Sequence, residues 1–302
     1  MTEIAILGPG GVGGFLAAAL ARAGQSVSVV AREGTAEAIL RSGIEVQSVR
    51  LGNFSARPAA LPALTEPVDV LFVATKATTL PEALDRVHSQ PRLVVPLLNG
   101  LEHMTLLRER LASESVAAGV IRIESSSPGA GQIRQTSPFL RVDLASDDPR
   151  LRPDLEDLAG ILDGAGVPAR IGVSEAHVLW SKLVRLVALA CTTSASGHKL
   201  GFIRSDPEWR QALEGVIEEA AAVANAHGAD VNPAGPLGEL SEAHPGLGSS
   251  MQRDIAAGKE PELDAIAGAV LRAGRRHGIE CPTIERLSLS IADRAGVAQP
   301  RG

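Results

Sequence analysis

Tyrosine is absent from this chain, and its 302 residues hold only two Trp and five Phe. The core must therefore be filled by Ala, Val, Leu and Ile rather than by large rings. A composition of 45% hydrophobic and 21% charged residues is that of a folded protein. Cysteine is nearly absent as well. Cys191 and Cys281 are too far apart for metal-ligand spacing or a disulfide framework, so both read as small core residues in a reducing compartment. No block of Lys or Arg stands out and the net charge is −6, which argues against a nucleic-acid partner. No apolar run reaches the ~20 residues that cross a bilayer. The chain reads as a strand from Thr2, which leaves no room for a signal peptide. The expectation is a cytoplasmic protein with neither membrane nor nucleic acid as partner.

What is present is organised around Thr2–Arg32. Thr2–Leu7 is a short Ile-rich apolar run, apt for a buried parallel strand. Gly8, Gly10 and Gly13 then fall at G-x-G-x-x-G spacing, Phe15–Ala23 is an Ala/Leu-rich helix, and Ser26–Ala31 is a second strand. The glycines have separate tasks: Gly8 for the tight turn, Gly10 for close approach of a pyrophosphate, Gly13 for close packing of helix on strand. Phosphates would rest on the free N–H groups at the helix start, which makes Gly8, Gly10, Gly11, Val12 and Gly13 the expected contacts. The motif alone is weak; set between strand and helix, with a second strand after it, it points to dinucleotide binding. The bland reading is a glycine turn that holds no cofactor. An NAD site usually carries Asp or Glu at the end of the second strand. Here that place is taken by Arg32, whose guanidinium can stack on adenine and pair with a 2′-phosphate. NADP(H) is therefore expected, the alternative being an exposed loop arginine.

The chain is long enough for two domains. After Glu33–Ser42, a short helix, residues 43–49 and 53–60 read as strands around Arg50–Gly52. Val68–Thr75 is a buried strand ending in Lys76, Leu80–His88 a helix, Leu93–Leu98 a strand ending in Asn99-Gly100, Leu101–Leu111 a helix and Val116–Ser125 a strand. Gly131–Thr136 and Phe139–Leu144 read as a hairpin about Ser137-Pro138, Arg150–Gly164 as a helix, and Ala169–Ile171 as a last short strand. Such alternation gives a parallel sheet covered by helices. From Ser174 strand signals stop. Ser174–Ala190, Asp206–His227, Ser249–Ala257, Glu262–His277 and a final segment from Cys281 to about Arg294 read as helices, and Asn232–Leu247, rich in Gly and Pro, as loop. The fold class is α/β: an N-terminal Rossmann dinucleotide-binding domain over residues 1–172 and an all-α C-terminal domain over 173–302.

Four places can carry chemistry. Lys76 and Asn99 end two strands, where an open parallel sheet meets its ligand; turn formation is the alternative for Asn99-Gly100. Lys182 lies in VLWSKLVRLVALA, the most apolar helix, with Arg185 one near-turn on. Hydride addition to a ketone makes an alkoxide, and an ammonium can be both its oxyanion partner and its proton donor; an ordinary polar stripe is the competing reading. In the last group the bland reading makes Ser249 an N-cap and Glu262 a helix-start charge, and the functional one has Ser250 bonding a carboxylate and Glu262 a substrate hydroxyl or the cofactor.

Taken in order, GPGGVGG at Gly8–Gly14, Arg32, TKA at Thr75–Ala77, NG at Asn99-Gly100, LWSKL at Leu179–Leu183, SSMxxD at Ser249–Asp254, ExD at Glu262–Asp264 and HGI at His277–Ile279 resemble the ketopantoate reductase (2-dehydropantoate 2-reductase) family over essentially the whole chain. The resemblance implies a Rossmann domain, a helical domain, an active site in the cleft between them, and NADPH-dependent reduction of 2-dehydropantoate to (R)-pantoate on the way to coenzyme A. It also implies roles: Lys182 as general acid, Glu262 as a catalytic and substrate-side contact, Lys76 and Asn99 at the nicotinamide end with Asn99 also on the substrate, and Ser250 on the substrate carboxylate. No metal is implied, the partner is a small 2-oxo acid, and a homodimer is left open.

The sequence departs from that family at one place. Well-characterised members carry asparagines one and two turns after the lysine; here those positions are Leu186 and Ala190, and the following SASGHKLGFIR has no asparagine either. A buried polar group left without its partner costs ~1–3 kcal/mol. A more apolar 2-oxo acid is therefore an alternative substrate, with Arg185 as the nearest replacement for the lost amides. A β-hydroxyacid dehydrogenase is disfavoured by the TKA, SSM and ExD motifs, and a non-catalytic NADP-binding regulator is the reading from another class.

Overall fold

The computed structural model describes residues 2–300. Contacts divide the chain into two compact units. The first runs to Leu98 and resumes over His103–Val178; the second combines Asn99–Glu102 with the chain from Leu179 onward.

The first unit runs β1 (Glu3–Leu7), α1 (Gly11–Arg22), β2 (Ser26–Val30), α2 (Glu33–Ser42), β3 (Ile44–Ser48), β4 (Phe54–Ala56), β5 (Ala59–Leu61), β6 (Val70–Val73), α3 (Leu80–Leu84), β7 (Leu93–Pro96) and α4 (His103–Arg110). It continues with β8 (Ala118–Arg122), β9 (Ser125–Gly129), β10 (Gln132–Gln135), β11 (Arg141–Ala145), α5 (Arg152–Gly164) and β12 (Ala169–Ile171). Five parallel strands form the main sheet in the order β5-β2-β1-β6-β7. Strands β1, β6 and β7 are buried along nearly their whole length, which is why they read as continuous apolar runs, whereas β2, SVSVV, alternates. Residues Gly13 to Leu20 of α1 are all buried, because α1 packs against β1 and β2 of this sheet and also against a second sheet, β4-β3-β10-β9. A helix apolar all round needs such two-sided cover. A third sheet, β12-β11-β8, is covered by α5.

Two expectations fail in this unit. The segment read as one strand over 53–60 is two: Pro58 separates β4, which pairs antiparallel with β3, from β5, which joins the main sheet. The expected hairpin between Gly131–Thr136 and Phe139–Leu144 does not form. β10 pairs with β3 and β9, whereas β11 pairs with β8 and β12. The crossover is held by Ser137, which is fully buried. Its hydroxyl accepts from the Glu124 amide at 2.9 Å and donates to the Phe139 carbonyl at 2.6 Å, so the chain leaves one sheet for another. Strand β9, SSSPG, has no apolar alternation and is an edge strand, where Pro128 removes no needed ladder bond.

Helix α6 (Glu175–Ser196) starts at the end of the first unit and continues into the second, which adds α7 (Leu200–Ser205), α8 (Pro207–Ala226), α9 (Ala234–Glu242), α10 (Ser250–Ala256), α11 (Ala269–Arg276) and α12 (Pro282–Ala295). Ser174 caps α6, accepting from the His177 amide at 3.1 Å. Asp206 caps α8 through the Glu208 and Trp209 amides, with Pro207 at the first helical position. Glu219 of α8 accepts from the first amides of α12, Thr283 at 2.8 Å and Ile284 at 2.9 Å, placing a carboxylate on the positive end of that helix. Trp180, Val184 and Val187 of α6, Val216 and Ala220 of α8, Ile266 and Val270 near α11, and Ile284 and Ile291 of α12 are at most 1% exposed and form the interior. Each such side chain contributes about 1.5–3 kcal/mol on burial. Both cysteines are buried within this unit, and burial pushes the Cys191 thiol up to about 12 and that of Cys281 to about 11.

Contrary to the loop reading of 232–247, Ala234–Glu242 is helical: Pro236 falls in its first turn, where proline is tolerated, and buries against the unit with Leu240. Residues 264–268 form a π-helix that runs into α11. Helix α6, at 22 residues, is long and apolar enough to cross a membrane by length and composition, yet most of it is buried inside the protein. It runs six residues past Ala190, where the apolar pattern ends, and the hydroxyls of Thr192, Thr193 and Ser196 are satisfied there by the carbonyls four residues back.

Candidate active site

In the first unit the glycine loop joins β1 to α1. Gly8 has φ +90, beyond the reach of most side chains, and a Cβ there would lie 2.7 Å from Thr75 Cγ2. A Cβ on Gly13 would stand 2.2 Å from the Gly8 carbonyl oxygen, and one on Gly11 2.5 Å from the Ser125 carbonyl oxygen. Gly10 is different: nothing lies within 4 Å of its added Cβ, and its φ of −70 would suit any residue. Space left over Gly10, while its neighbours are closed by protein, is what a group approaching from outside would require. The Thr75 hydroxyl oxygen, beside this loop, is buried and has no hydrogen-bond partner. The open face of Gly10 and the orphan hydroxyl fit a dinucleotide pyrophosphate. Ser125 donates to the Gly11 carbonyl at 2.7 Å and steadies the helix start. No local pattern signals this contact, which spans 114 positions.

Arg32 follows β2 and occupies the N-cap position of α2 without bonding the helix through its side chain. Its Nε lies 3.7 Å from a carboxylate oxygen of Glu82, with both side chains more than 60% exposed, so the pair is weak. Glu33 points elsewhere, toward Arg86 at 3.4 Å. Lys76 is exposed and precedes a 3₁₀ turn, Ala77–Thr79, that bonds back to its carbonyl.

In the second unit the structure brings together two residues that the motifs selected separately. Asn99 Nδ2 donates to Glu262 Oε2 at 3.0 Å across 163 positions, and Glu262 is only 8% exposed. Gly100 has φ +88, and a Cβ on it would lie 2.2 Å from the Ala265 carbonyl oxygen, so the Asn-Gly turn lies directly on the π-helical segment. Lys182 occupies a half-buried position on α6. Arg185, three residues on, has its Nε 3.0 Å from Glu239 Oε2 on α9. Leu186 is half-buried and Ala190 fully buried.

Ser249, rather than Ser250, caps α10. It accepts from the Gln252 amide at 3.0 Å and shares a 2.9 Å bond with the buried Thr193 hydroxyl. Ser250 is the first helical residue and half-buried. Gln252 joins this cluster to the 197–199 loop by donating to the Thr193 and His198 carbonyls at 3.0 and 2.9 Å and accepting from Lys199 at 3.0 Å. A buried glutamine is thus spent on the loop where the family resemblance leads one to expect asparagine.

Comparison with known proteins agrees with this architecture. Residues 4–145 match the family described as ketopantoate reductase PanE/ApbA, and residues 176–293 match its C-terminal region. A 2-dehydropantoate 2-reductase from Caulobacter vibrioides is 32% identical over 93% of this chain and 95% of its own. The crystal structure of 2-dehydropantoate 2-reductase from Geobacter metallireducens superposes with a TM-score of 0.88 at 26% identity, covering 96% of this chain and 99% of that one. D-mandelate dehydrogenase, solved with NADH and anilino(oxo)acetate, shares the fold with a TM-score of 0.88 over 98% of this chain and 100% of its own, at 18% identity. With both parts of the sequence matched in order, the chain belongs to the ketopantoate reductase family of oxidoreductases.

Proposed function

We propose that this protein reduces a 2-oxo acid to the corresponding 2-hydroxy acid with NADPH, and that 2-dehydropantoate is its leading substrate. The observation that carries the reading is the Asn99–Glu262 bond, which joins two motif residues into one half-buried polar pair. Bound NADPH supplies the hydride. The chain's own work is to hold the acid and place a proton on its carbonyl oxygen. Gly10, Gly11, Val12 and Gly13 hold the pyrophosphate at the start of α1, while Gly8 serves the turn alone, because its amide already donates to the Val30 carbonyl at 3.0 Å. Arg32 exchanges its weak contact with Glu82 for the 2′-phosphate, a charge-assisted and bidentate interaction. Lys76 and Asn99 attend the nicotinamide end. The Lys182 ammonium stabilises the developing alkoxide and donates its proton to it, while Ser250 bonds the substrate carboxylate and Glu262 its hydroxyl.

A second reading within the same chemistry is a more apolar 2-oxo acid. It is favoured by Leu186, by the burial of Ala190, and by the engagement of Arg185 with Glu239, which together leave no amide at the positions after Lys182. The experiment is a panel of small 2-oxo acids with NADPH, run on wild type and on Lys182→Met. The reading expects turnover in the wild type, its loss in the variant, and NADPH binding preserved in both. A wild type that reduces none of the acids would refute it, and an unchanged rate in Lys182→Met would remove the lysine from the role of acid.

A further inference from the structure

Arg272, on α11, is claimed by none of the motifs, yet its guanidinium makes the densest set of bonds in the second unit. Nε and Nη2 each reach a different oxygen of Glu102 at 2.7 Å, the fork-on-fork geometry that arginine alone provides. Nη1 donates to Asp264 Oδ1 at 2.8 Å, and Nη2 also reaches Asp264 Oδ2 at 3.2 Å and its carbonyl oxygen at 3.1 Å. The Arg272 side chain is 17% exposed, whereas Glu102 is 42% and Asp264 57% exposed, so the clasp rests on its bidentate geometry rather than on burial. Gly268 leaves the space for this: a Cβ there would lie 2.8 Å from Asp264 Oδ1 and 3.1 Å from Arg272 Nη1.

The two carboxylates lie on the two pieces of backbone that carry Asn99 and Glu262. Glu102 is three residues after Asn99, on the turn whose Gly100 rests against the Ala265 carbonyl. Asp264 is two residues after Glu262 and opens the π-helix, where its carbonyl also accepts from the Ala269 amide. Removing the cation would delete this side-chain tie between the turn and the π-helix.

We infer that Arg272 is a positioning residue: by clasping Glu102 to Asp264 it fixes the Asn99 amide on the Glu262 carboxylate. Its consequence for turnover rests on the reductase reading above; its consequence for Asn99 does not. Two measurements separate them. The first is a cycle of Arg272→Gln, Asn99→Ala and the double variant, with thermal melts to confirm folding and with NADPH affinity read separately. Arg272→Gln is expected to lower kcat by ~10-fold or more, because a group displaced by an ångström costs that much, with NADPH affinity held. In the Asn99→Ala background the second substitution should cost nothing further. Full additivity of the two losses would overturn the inference.

The second measurement needs no activity. Asn99 precedes glycine, so the Gly100 amide nitrogen can attack Asn99 Cγ, expel ammonia and leave a succinimide that water opens to aspartate or isoaspartate. The held side chain and clamped Gly100 resist that geometry. Peptide mass mapping of aged wild type, Arg272→Gln and the milder Glu102→Gln should show faster deamidation at Asn99 in both variants. Equal rates in all three would overturn the inference. If the wild type reduces no 2-oxo acid, the reductase reading fails and the deamidation comparison alone decides the role of Arg272.

Discussion

Gly10 and Gly13 are three residues apart in one loop, yet alanine should harm them in opposite ways. At Gly13 the new methyl would stand 2.2 Å from the Gly8 carbonyl oxygen and 3.1 Å from both Ala74 Cβ and Ile6 Cγ2, where ordinary contact begins near 3.4 Å. None of the three is the loose end of a long side chain. Helix α1 must therefore move off β1 by about 1 Å, an overpacking of about 1–3 kcal/mol, which lowers Tm by roughly 2–12 °C for a unit of this size. The same movement shifts the amides at the start of α1. Losing one charge-assisted bond to phosphate, about 1.5–3 kcal/mol, weakens the cofactor by roughly 10- to 100-fold. At Gly10 nothing meets the methyl within 4 Å, so Gly10→Ala should fold and lose only the ~0.5–1 kcal/mol by which alanine is a poorer N-cap than glycine. Its methyl would nevertheless occupy the face that a pyrophosphate must approach, and NADPH should bind at least ~10-fold more weakly. The assays are thermal melts without cofactor and NADPH titration by fluorescence. Wild-type affinity in Gly10→Ala would show that the loop does not hold the pyrophosphate, and an undiminished Tm in Gly13→Ala would refute the packing argument.

Three further outcomes follow from the same structure. Arg32→Ala should weaken NADPH far more than NADH, as read by competitive titration; equal losses would mean that Arg32 does not meet the 2′-phosphate. Leu186→Asn should raise kcat/KM for 2-dehydropantoate relative to apolar 2-oxo acids by ~10-fold, the worth of one recovered hydrogen bond, and no change in that ratio would sink the missing-amide argument. His227 has its imidazole pushed below the ordinary 6.5, first by burial and then by His277 and Arg276, with His277 Nε2 at 3.3 Å and the Trp180 ring beside it. The unfolded chain then binds this proton more readily than the folded one, so the group's stabilisation is full above about pH 6.5 and is lost as the pH falls below it. Melting temperature should decline on acidification, less steeply in His227→Gln, and parallel profiles would exclude the histidine as the cause.

Local order was readable where sequence neighbours decide it. β1, the glycine loop, α1 and β2 are consecutive, and α2 runs over Glu33–Ser42 as its pattern predicts. Reading failed where a partner far along the chain decides. β10 and β11 look like a hairpin by their spacing, yet each finds partners in a different sheet. β9 carries no apolar alternation because only a sheet edge is asked of it. The candidate site divides in the same way. Asn99 and Glu262 were visible as types of residue in an expected order, and their contact was not, since 163 positions separate them. Arg272 and Glu102 belong to none of the motifs. Only the folded chain shows that one cation holds both Glu102 and Asp264.

The assignment of Asn99–Glu102 to the second unit has a practical consequence for anyone who would dissect this protein. The helical unit is not a continuous stretch of gene. A fragment beginning at Leu179 would carry Glu262 without its Asn99 donor and would leave Arg272 and Asp264 without Glu102. A fragment ending at Leu98 would in turn stop before the turn that completes the other piece. Cutting at the apparent border between strand-rich and helix-rich sequence therefore severs the Asn99–Glu262 and Glu102–Arg272 bonds, and the helical fragment should melt lower than the same unit within the full chain.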